Sequence, residues 1–146
     1  MTARQSLISG RVLVDTSAYF AFADTREQNN RVATSIMTRL GEEQWQLFTT
    51  NFVLAEAHAL FLTRLGRDVA LRFLEALDGS ATTVICVSAA DEQRARAIVS
   101  RYDDKDFSLT DAASFSVMER LSIPAAFTFD RNFAQYGLTV LEPPQT

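Results

Sequence analysis

The sequence predicts an α/β fold in which a mostly parallel sheet carries helices on both faces. Short apolar or β-branched runs alternate with helix-like segments along the whole 146-residue chain, and this alternation is typical of sheets built from strand–helix–strand units. Two of these runs, RVLV and AAFTF, are each followed directly by an aspartate. Because such sheets bind ligands at the carboxyl ends of their strands, these aspartates are the first candidates for a functional site.

The first half of the chain contains two predicted strands and four predicted helices. The strands cover residues 11–15 and 46–50, where Val, Leu, Phe and Thr dominate. The helices cover residues 17–23, 30–40, 51–65 and 68–77. We expect Asn51 and Asp68 to cap the last two helices at their N-termini, and Gly66 to end the helix that Asn51 begins.

The second half contains three predicted strands and two predicted helices. The strands cover residues 81–87, 125–129 and 138–141. The helices end near residues 102 and 121, and each begins with a serine that an aspartate follows three residues later, a spacing typical of a capping box. These pairs are Ser88 with Asp91 and Ser108 with Asp111. The sequence shows no linker or repeat, so we interpret residues 1–146 as a single domain with a short tail from about residue 142.

Composition and charge exclude several classes of function. No apolar run reaches the roughly 20 residues that a membrane helix needs, and the N-terminal segment lacks the apolar stretch of a secretory signal, so we expect a cytoplasmic protein. One cysteine (Cys86) and one histidine (His58) exclude an intramolecular disulfide and multi-Cys or His-pair metal sites; we expect Cys86 to be a small buried residue and His58 a packing or surface residue. A net charge of −4 argues against a simple basic nucleic-acid binder, although thirteen of the fourteen basic residues are arginines, which bind phosphate well.

Four acidic residues are candidates for the site. Asp15 and Asp130 each follow a predicted strand, and Asp111 lies in the first turn of a predicted helix. Glu56 lies in the almost wholly apolar run NFVLAEAHALFL, where a buried carboxylate is costly unless something neutralises it. Although far apart in sequence, all four can converge on the edge of the sheet where the strands end.

A convergence of four carboxylates would have a definite chemical consequence. Two carboxylates about 4 Å apart repel by roughly 4 kcal/mol at an effective dielectric constant near 20, so the cluster would raise its own pKa values or bind cations. Oxygen ligands alone favour Mg²⁺ or Mn²⁺ over Zn²⁺, and a water held by such an ion can attack a phosphodiester. The composition therefore permits a metal-dependent phosphodiesterase.

Four segments of the chain carry a resemblance to a known family. They are VLVDTSAYFAFAD, NFVLAEAHAL, DKDFSLTDAASFSVM and FTFDRNF. In these segments, their order and their spacing, the chain from about residue 11 to residue 141 resembles the PIN-domain ribonucleases, and among them the VapC-type toxins of bacterial toxin–antitoxin pairs. The resemblance implies a three-layer α/β/α sandwich with a central, mostly parallel sheet.

The resemblance also implies roles for individual residues. The acidic pocket of the family, which binds Mg²⁺ or Mn²⁺ and carries the catalysis, would consist of Asp15, Glu56, Asp111 and Asp130. Supporting roles, as hydroxyl groups that orient the carboxylates or as a fifth acid, would fall to Thr16 or Ser17, Thr128 and Asp106. Groups that orient metal ligands in this way are common in metal sites.

The reaction implied by the resemblance is endonucleolytic cleavage of single-stranded or looped RNA, in transfer or ribosomal RNA, by an activated water. Besides the RNA, the implied partners are a second copy of the chain, forming a homodimer, and a cognate antitoxin. The C-terminal segment of the antitoxin would lie across the acidic pocket and place an arginine against the carboxylates.

Other interpretations stay open at this point. Asp15 can be a turn or capping residue, Asp111 only a member of a capping box, and Glu56 a solvent-exposed or arginine-paired residue. The protein could also be a housekeeping RNA-processing nuclease without an antitoxin, or a non-catalytic signalling or binding module. Phosphoacceptor receiver domains usually need a lysine after a late strand, whereas the single lysine, Lys105, follows a predicted helix. Phosphatases of the haloacid dehalogenase type need a second acid where this chain has Ser17.

Overall fold

The computed structural model describes residues 10–142 and contains four strands and seven helices in that part of the chain. The strands are β1 (Arg11–Val14), β2 (Gln46–Thr50), β3 (Thr83–Ile85) and β4 (Ala125–Phe127). The helices are α1 (Thr16–Ala23), α2 (Asn30–Glu42), α3 (Asn51–Leu65), α4 (Arg67–Asp78), α5 (Ala89–Arg101), α6 (Leu109–Leu121) and α7 (Asn132–Tyr136). Neighbouring strands pair in parallel, in the order β3–β2–β1–β4, which confirms the predicted parallel sheet.

Helices cover both faces of the sheet, and the side chains of β1 alternate between these faces. Leu13 belongs to one buried cluster together with residues of α5, α6 and α7, whereas Val12 and Val14 belong to a second cluster with residues of α1 and α2. All three side chains are fully buried, as expected for a strand that is covered on both sides. Each contributes on the order of 1.5–3 kcal/mol through its removal from water. This arrangement confirms the three-layer α/β/α sandwich.

The inner strand β1 lies between β2, the next strand along the chain, and β4, the last strand. The strands that follow β1 in sequence continue on the β2 side, whereas β4 lies on the other side. The strand order therefore reverses between β1 and β4, which is where open α/β sheets bind ligands. The two strand ends stay side by side beyond the sheet, since the Asp15 N–H donates to the Phe127 carbonyl at 3.0 Å.

The helix α3 covers the predicted residues, but its cap lies one residue earlier than expected. Thr50, the last residue of β2, has extended dihedral angles (φ −124°, ψ 163°), and its hydroxyl accepts a hydrogen bond from the Val53 N–H at 3.0 Å. The side chain of Asn51 instead accepts from the Val87 N–H at 2.8 Å. The prediction of Asn51 as the cap was wrong because the extended residue that precedes the first helical turn is the one whose side chain reaches the free N–H groups.

Gly66 ends α3, as predicted, and also precedes α4. Its dihedral angles (φ 95°, ψ 170°) lie in a region that favours glycine. The prediction of Asp68 as the cap of α4 was wrong, because Gly66 occupies that position and Asp68 lies in the first turn. There the negative charge of Asp68 still interacts favourably with the positive end of the helix dipole.

The sheet is shorter at its edges than the sequence predicts. As an edge strand that pairs only with β2, β3 covers no more than Thr83–Ile85. Cys86 lies just beyond β3 and is exposed, so the expectation that Cys86 is buried was wrong. Residues 138–141 form a single parallel bridge, between Ala126 and Val140, rather than a strand.

Both predicted capping boxes are confirmed, at Ser88 with Asp91 in α5 and at Ser108 with Asp111 in α6. The end of α6 lies against the start of α5, so the two helices run antiparallel. Arg120 near the end of α6 donates hydrogen bonds of 2.9 and 2.7 Å to the buried carboxylate of Asp91 near the start of α5. The hydrogen bond from Arg120 is the main cause that lowers the pKa of Asp91 to about 2. This ion pair joins α5 to the far end of α6, the helix on which Asp111 lies.

Within residues 10–142, no helix is both long and apolar enough to cross a membrane. The N-terminal segment, in which we expected no secretory signal, falls on residues 1–9 and lies outside the described residues. The same holds for the predicted tail beyond residue 142.

Candidate active site

Asp15 lies between β1 and α1, and the residue is only 3% exposed. Its Oδ2 atom accepts hydrogen bonds from the Thr128 hydroxyl at 2.9 Å and from the Ser17 hydroxyl at 3.2 Å. Its Oδ1 atom is buried and has no hydrogen-bond partner among the described residues. Since a buried acceptor without a partner is costly, this atom is available to a group from outside the chain, such as a water or a cation.

Burial is the main cause that raises the pKa of Asp15 from 3.8 to about 6. The charge of Asp111 raises this pKa further, and the charge of Glu56 adds a smaller increase. The hydrogen bond from the Thr128 hydroxyl acts in the opposite direction, because it stabilises the ionised form. Asp111 and Glu56 therefore lie close enough to Asp15 for their charges to interact with it.

Two hydroxyl groups connect Asp15 to the end of β4. While the Thr128 hydroxyl donates to Asp15, its oxygen accepts a hydrogen bond from the Asp130 N–H at 2.9 Å. The Ser17 oxygen lies 3.1 Å from the Thr128 oxygen and accepts from the Phe129 N–H at 2.9 Å. The hydroxyl groups of Ser17 and Thr128 thus contact the first candidate acid and the backbone beside the last one.

Asp111 is the third residue of α6, and one of its carboxylate oxygens makes two hydrogen bonds. Oδ2 accepts from the Ser108 N–H at 3.1 Å, which completes the capping box, and from the side-chain amide of Asn132 at 2.9 Å. Burial is the largest cause that raises the pKa of Asp111, and the charge of Asp130 raises it further. The capping role of Asp111 does not conflict with a functional role, because the capping box uses only Oδ2.

Asn132 connects Asp111 to Asp130. Its Nδ2 atom donates to Asp111 Oδ2 at 2.9 Å and lies 3.4 Å from Asp130 Oδ2, while its backbone N–H donates to Asp130 Oδ1 at 2.9 Å. No role was expected for Asn132 from the sequence, although it lies in the segment FTFDRNF. The sequence signal that could have identified Asn132 is its position two residues after Asp130, since an aspartate side chain often accepts a hydrogen bond from the backbone N–H two residues later.

Three other expected residues have looser connections to this network. Glu56 is exposed on α3, so the expectation that its burial requires neutralisation was wrong; its connection to the site is its effect on the pKa of Asp15. Asp106 is exposed in the loop before α6 and makes no side-chain hydrogen bond within the described part of the chain. The Thr16 hydroxyl is buried and has no partner among residues 10–142.

The available donor atoms fit a hard divalent cation. Carboxylate oxygens are the ligands that Mg²⁺ and Mn²⁺ prefer, and the unpartnered Oδ1 of Asp15 is a free acceptor for such an ion. Between residues 10 and 142, no three Asp, Glu, His or Cys side chains are grouped closely enough to hold a metal ion by themselves. A site with fewer than three closely grouped carboxylates is compatible with Mg²⁺, which usually binds one or two carboxylates and keeps several waters.

A cavity of about 370 Å³ forms a separate surface feature. It lies among α1, α2, β2, α3 and α4, and its lining includes Tyr19, Phe61 and Phe73 but no carboxylate. The cavity therefore does not include the candidate acids, and the chemistry that needs carboxylates belongs to the edge of the sheet at β1 and β4.

Comparisons with known proteins identify the family and the fold. The model of the PIN domain family matches residues 12–138. Ribonuclease VapC26 of Mycobacterium tuberculosis is 29% identical over 120 residues, which cover 82% of this chain and 87% of that protein. The 23S rRNA-specific endonuclease VapC20 of the same species is 27% identical over 132 residues, which cover 90% of this chain and 98% of that protein.

Solved structures share the same fold. The crystal structure of Mycobacterium tuberculosis VapC20, described as a sarcin–ricin loop cleaving toxin, superimposes with a TM-score of 0.82 at 28% identity and covers 90% of this chain and 99% of that one. FitAcB from Neisseria gonorrhoeae gives a TM-score of 0.65 at 17% identity, covering 90% of this chain and 97% of that one, and supports the fold alone. The chain belongs to the PIN domain family.

Proposed function

We propose that this protein is a metal-dependent endoribonuclease and the toxin of a toxin–antitoxin pair. The observation that carries the proposal is the buried carboxylate of Asp15 beside the ends of β1 and β4, with one oxygen held by hydroxyl groups and the other without a partner among the described residues. The similarity to VapC26, a ribonuclease, and VapC20, a 23S rRNA-specific endonuclease, supports an activity of the same kind.

The proposed cofactor is Mg²⁺ or Mn²⁺. The residues that would hold it, directly or through bound waters, are Asp15, Glu56, Asp111 and Asp130, with Asp106 as a further candidate. A bound divalent ion supplies an activated water and positive charge for the phosphate oxygens of the substrate. The oxygen-only donor set and the free Oδ1 of Asp15 support this choice of ion.

The chain's own residues orient the carboxylates before a substrate arrives. The Thr128 and Ser17 hydroxyls hold Oδ2 of Asp15 and leave Oδ1 as the free acceptor. The Ser108 N–H holds Oδ2 of Asp111 in the same manner. Removal of such orienting hydrogen bonds typically reduces metal affinity or activity by about 10–100-fold.

The proposed substrate is single-stranded or looped RNA, because bases in loops are accessible to a protein. VapC20 is named as specific for 23S rRNA, so a ribosomal RNA loop is the first substrate to test on this chain. Arg131 is exposed and directly follows Asp130. We infer that its guanidinium contacts a phosphate near the cleaved bond.

The proposed protein partners follow from the toxin role. A ribonuclease that acts on the RNA of its own cell needs an inhibitor, and we infer a cognate antitoxin with an arginine that pairs with the candidate acids. We also infer a homodimer and a location in the cytoplasm. Size-exclusion chromatography with light scattering, on the protein alone and with the product of an adjacent small reading frame, tests both partners.

A cleavage assay tests the proposed activity. Antitoxin-free protein is incubated with total cellular RNA and with a synthetic hairpin of the sarcin–ricin loop, in Mn²⁺, in Mg²⁺ and in EDTA. The variant Asp111→Asn keeps the shape of the side chain and removes its charge. The matched control, Asp78→Asn, changes an exposed aspartate at the end of α4.

We expect discrete, metal-dependent cuts from the wild type and from Asp78→Asn, and none from Asp111→Asn, with all three proteins folded by circular dichroism. If the folded wild type and the folded Asp111→Asn variant both fail to cleave every RNA tested, that result would contradict the proposed nuclease activity. Full cleavage by Asp111→Asn would contradict the site described here. Cuts in other RNAs but not in the hairpin would support the nuclease and exclude that loop as its substrate.

A further inference from the structure

Asn132 makes three contacts with the carboxylates of two aspartates, Asp111 and Asp130. Its side-chain Nδ2 donates to Asp111 Oδ2 at 2.9 Å and lies 3.4 Å from Asp130 Oδ2, and its backbone N–H donates to Asp130 Oδ1 at 2.9 Å. Asp111 comes from the start of α6 and Asp130 from the segment after β4. The amide therefore joins two elements that the sheet alone does not hold together at this point.

We propose that Asn132 is a positioning residue that holds Asp111 and Asp130 together for a divalent cation. This inference rests on the proposed function, because it requires that the two carboxylates bind such an ion. It goes beyond the four acids, since Asn132 acts through the two carboxylates and not as a ligand. Its amide determines how tightly the site binds the metal, whereas the fold depends on other contacts.

The chemistry of an amide suits this position. Two carboxylates that share a site repel each other, and the charge of Asp130 is one of the causes that raise the pKa of Asp111. The two N–H groups of an amide can donate to both carboxylates at once. Because the amide is neutral, it brings the carboxylates together without supplying the positive charge, which is left to the cation. An arginine or lysine here would pair with the acids and compete with the ion.

The side-chain amide of Asn132 can be removed without removing the hydrogen bond that the backbone of the same residue makes. The backbone N–H of residue 132 donates to Asp130 whatever the side chain is. Asp111 also keeps the hydrogen bond from the Ser108 N–H. A variant at position 132 therefore removes the link between the two carboxylates and leaves the capping box and the turn after Asp130 in place.

The variant Asn132→Leu replaces the amide by an apolar group with the same branching and number of heavy atoms, and Asn132→Ala removes it without adding apolar bulk. The matched control is Gln135→Leu, which changes an exposed amide on the same helix, α7, without a side-chain contact to either acid. Mn²⁺ alone is titrated into each metal-free protein by calorimetry, in the absence of RNA. Thermal unfolding in EDTA reports the stability of the metal-free fold.

We expect both Asn132 variants to bind Mn²⁺ about 10–100-fold more weakly than the wild type, which corresponds to about 1.4–2.8 kcal/mol of binding free energy. The unfolding temperature in EDTA should stay close to that of the wild type, and RNA cleavage should recover at high Mn²⁺. Gln135→Leu should match the wild type in every measurement.

Failure of the wild type to bind Mn²⁺ would overturn the proposed function as well. Binding by the wild type with unchanged affinity in a folded Asn132 variant would overturn only this inference. If Asn132→Leu fails to fold, Asn132→Ala carries the test. Unfolding of both variants would assign Asn132 to the fold instead of the metal site, and would also overturn the inference.

Discussion

The Thr128 hydroxyl donates a 2.9 Å hydrogen bond to Oδ2 of Asp15, a residue 113 positions earlier in the chain. The register of the sheet explains this contact, because Val14 in β1 lies opposite Phe127 in β4. Asp15 and Thr128 are the residues that directly follow these two strands, so they lie beside each other. The orientation of the first candidate acid therefore depends on the pairing of the first strand with the last.

Replacing Thr128 by valine removes this hydroxyl at nearly constant volume. The Thr128 hydrogen bond lowers the pKa of Asp15, so its loss should raise that pKa further. We expect Mn²⁺ affinity and RNA cleavage to fall by about 10–100-fold, measured by calorimetry and by the hairpin assay. Thr83→Val, on the exposed edge strand β3, is the matched control. Wild-type Mn²⁺ affinity in a folded Thr128→Val protein would exclude an orienting role.

In the metal-free protein, Asp15 should make folding less favourable as the pH rises. Its pKa is 3.8 as an ordinary aspartate and about 6 in the folded state, so between these values the folded protein binds more protons than the unfolded protein. The contribution of this group to stability is therefore complete below about pH 4 and falls by about 3 kcal/mol as the pH rises through 6.

Urea unfolding of the wild type and of Asp15→Asn, both in EDTA, measures this contribution. We expect the variant to gain stability relative to the wild type between about pH 4 and pH 7.5. Taking the difference between the two proteins removes the effect of other groups such as Asp91, whose lowered pKa acts in the opposite direction at lower pH. A difference that does not change with pH would mean that the pKa of Asp15 is not raised.

The ion pair of Asp91 and Arg120 should affect stability without changing the candidate site. Asp91 is 2% exposed and accepts hydrogen bonds from Arg120 and Ser116. Because the Arg120 side chain is 44% exposed, water can solvate the charge that Asp91→Ala leaves behind, and we expect a loss of about 1–3 kcal/mol in the free energy of unfolding. Glu92→Ala, which breaks a surface pair with Arg96, should cost less than about 1 kcal/mol.

Urea unfolding and the cleavage assay together check this prediction. The folded Asp91→Ala protein should cut RNA at the wild-type rate, since the capping box of Asp111 is intact. Equal stability of Asp91→Ala and Glu92→Ala would mean that the buried ion pair contributes no more than a surface pair.

The features that the sequence predicts correctly are those with local causes. The pairing of Ser108 with Asp111 involves residues three apart, so the spacing alone is enough to predict the capping box. The apolar run before Asp15 predicts a buried strand for the same reason, because three consecutive apolar side chains need cover on both faces. The positions of Asp15 and Asp111 at the ends of these elements follow directly.

The features that the sequence does not predict depend on contacts between distant elements. Asn51 looks like a helix cap in isolation, but its side chain bonds to Val87 after β3 while Thr50 takes the capping role. Asn132 looks like a loop residue until α6 brings Asp111 beside it. Cys86 lies in an apolar run, yet it is exposed because β3 has a neighbour on one side only. Periodicity and spacing contain no information about such neighbours.

Glu56 is the candidate acid that most needs an experiment, because it is exposed on α3 and its connection to the site is an effect on the pKa of Asp15. The variant Glu56→Gln keeps the length of the side chain and removes its charge. We expect Mn²⁺ affinity and cleavage to fall by at least about tenfold. Stability in EDTA should be unchanged or slightly higher, because a like charge near Asp15 is gone. Glu75→Gln, on the exposed side of α4, is the matched control. Full cleavage by a folded Glu56→Gln protein would remove Glu56 from the site and leave the three aspartates as the candidate acids.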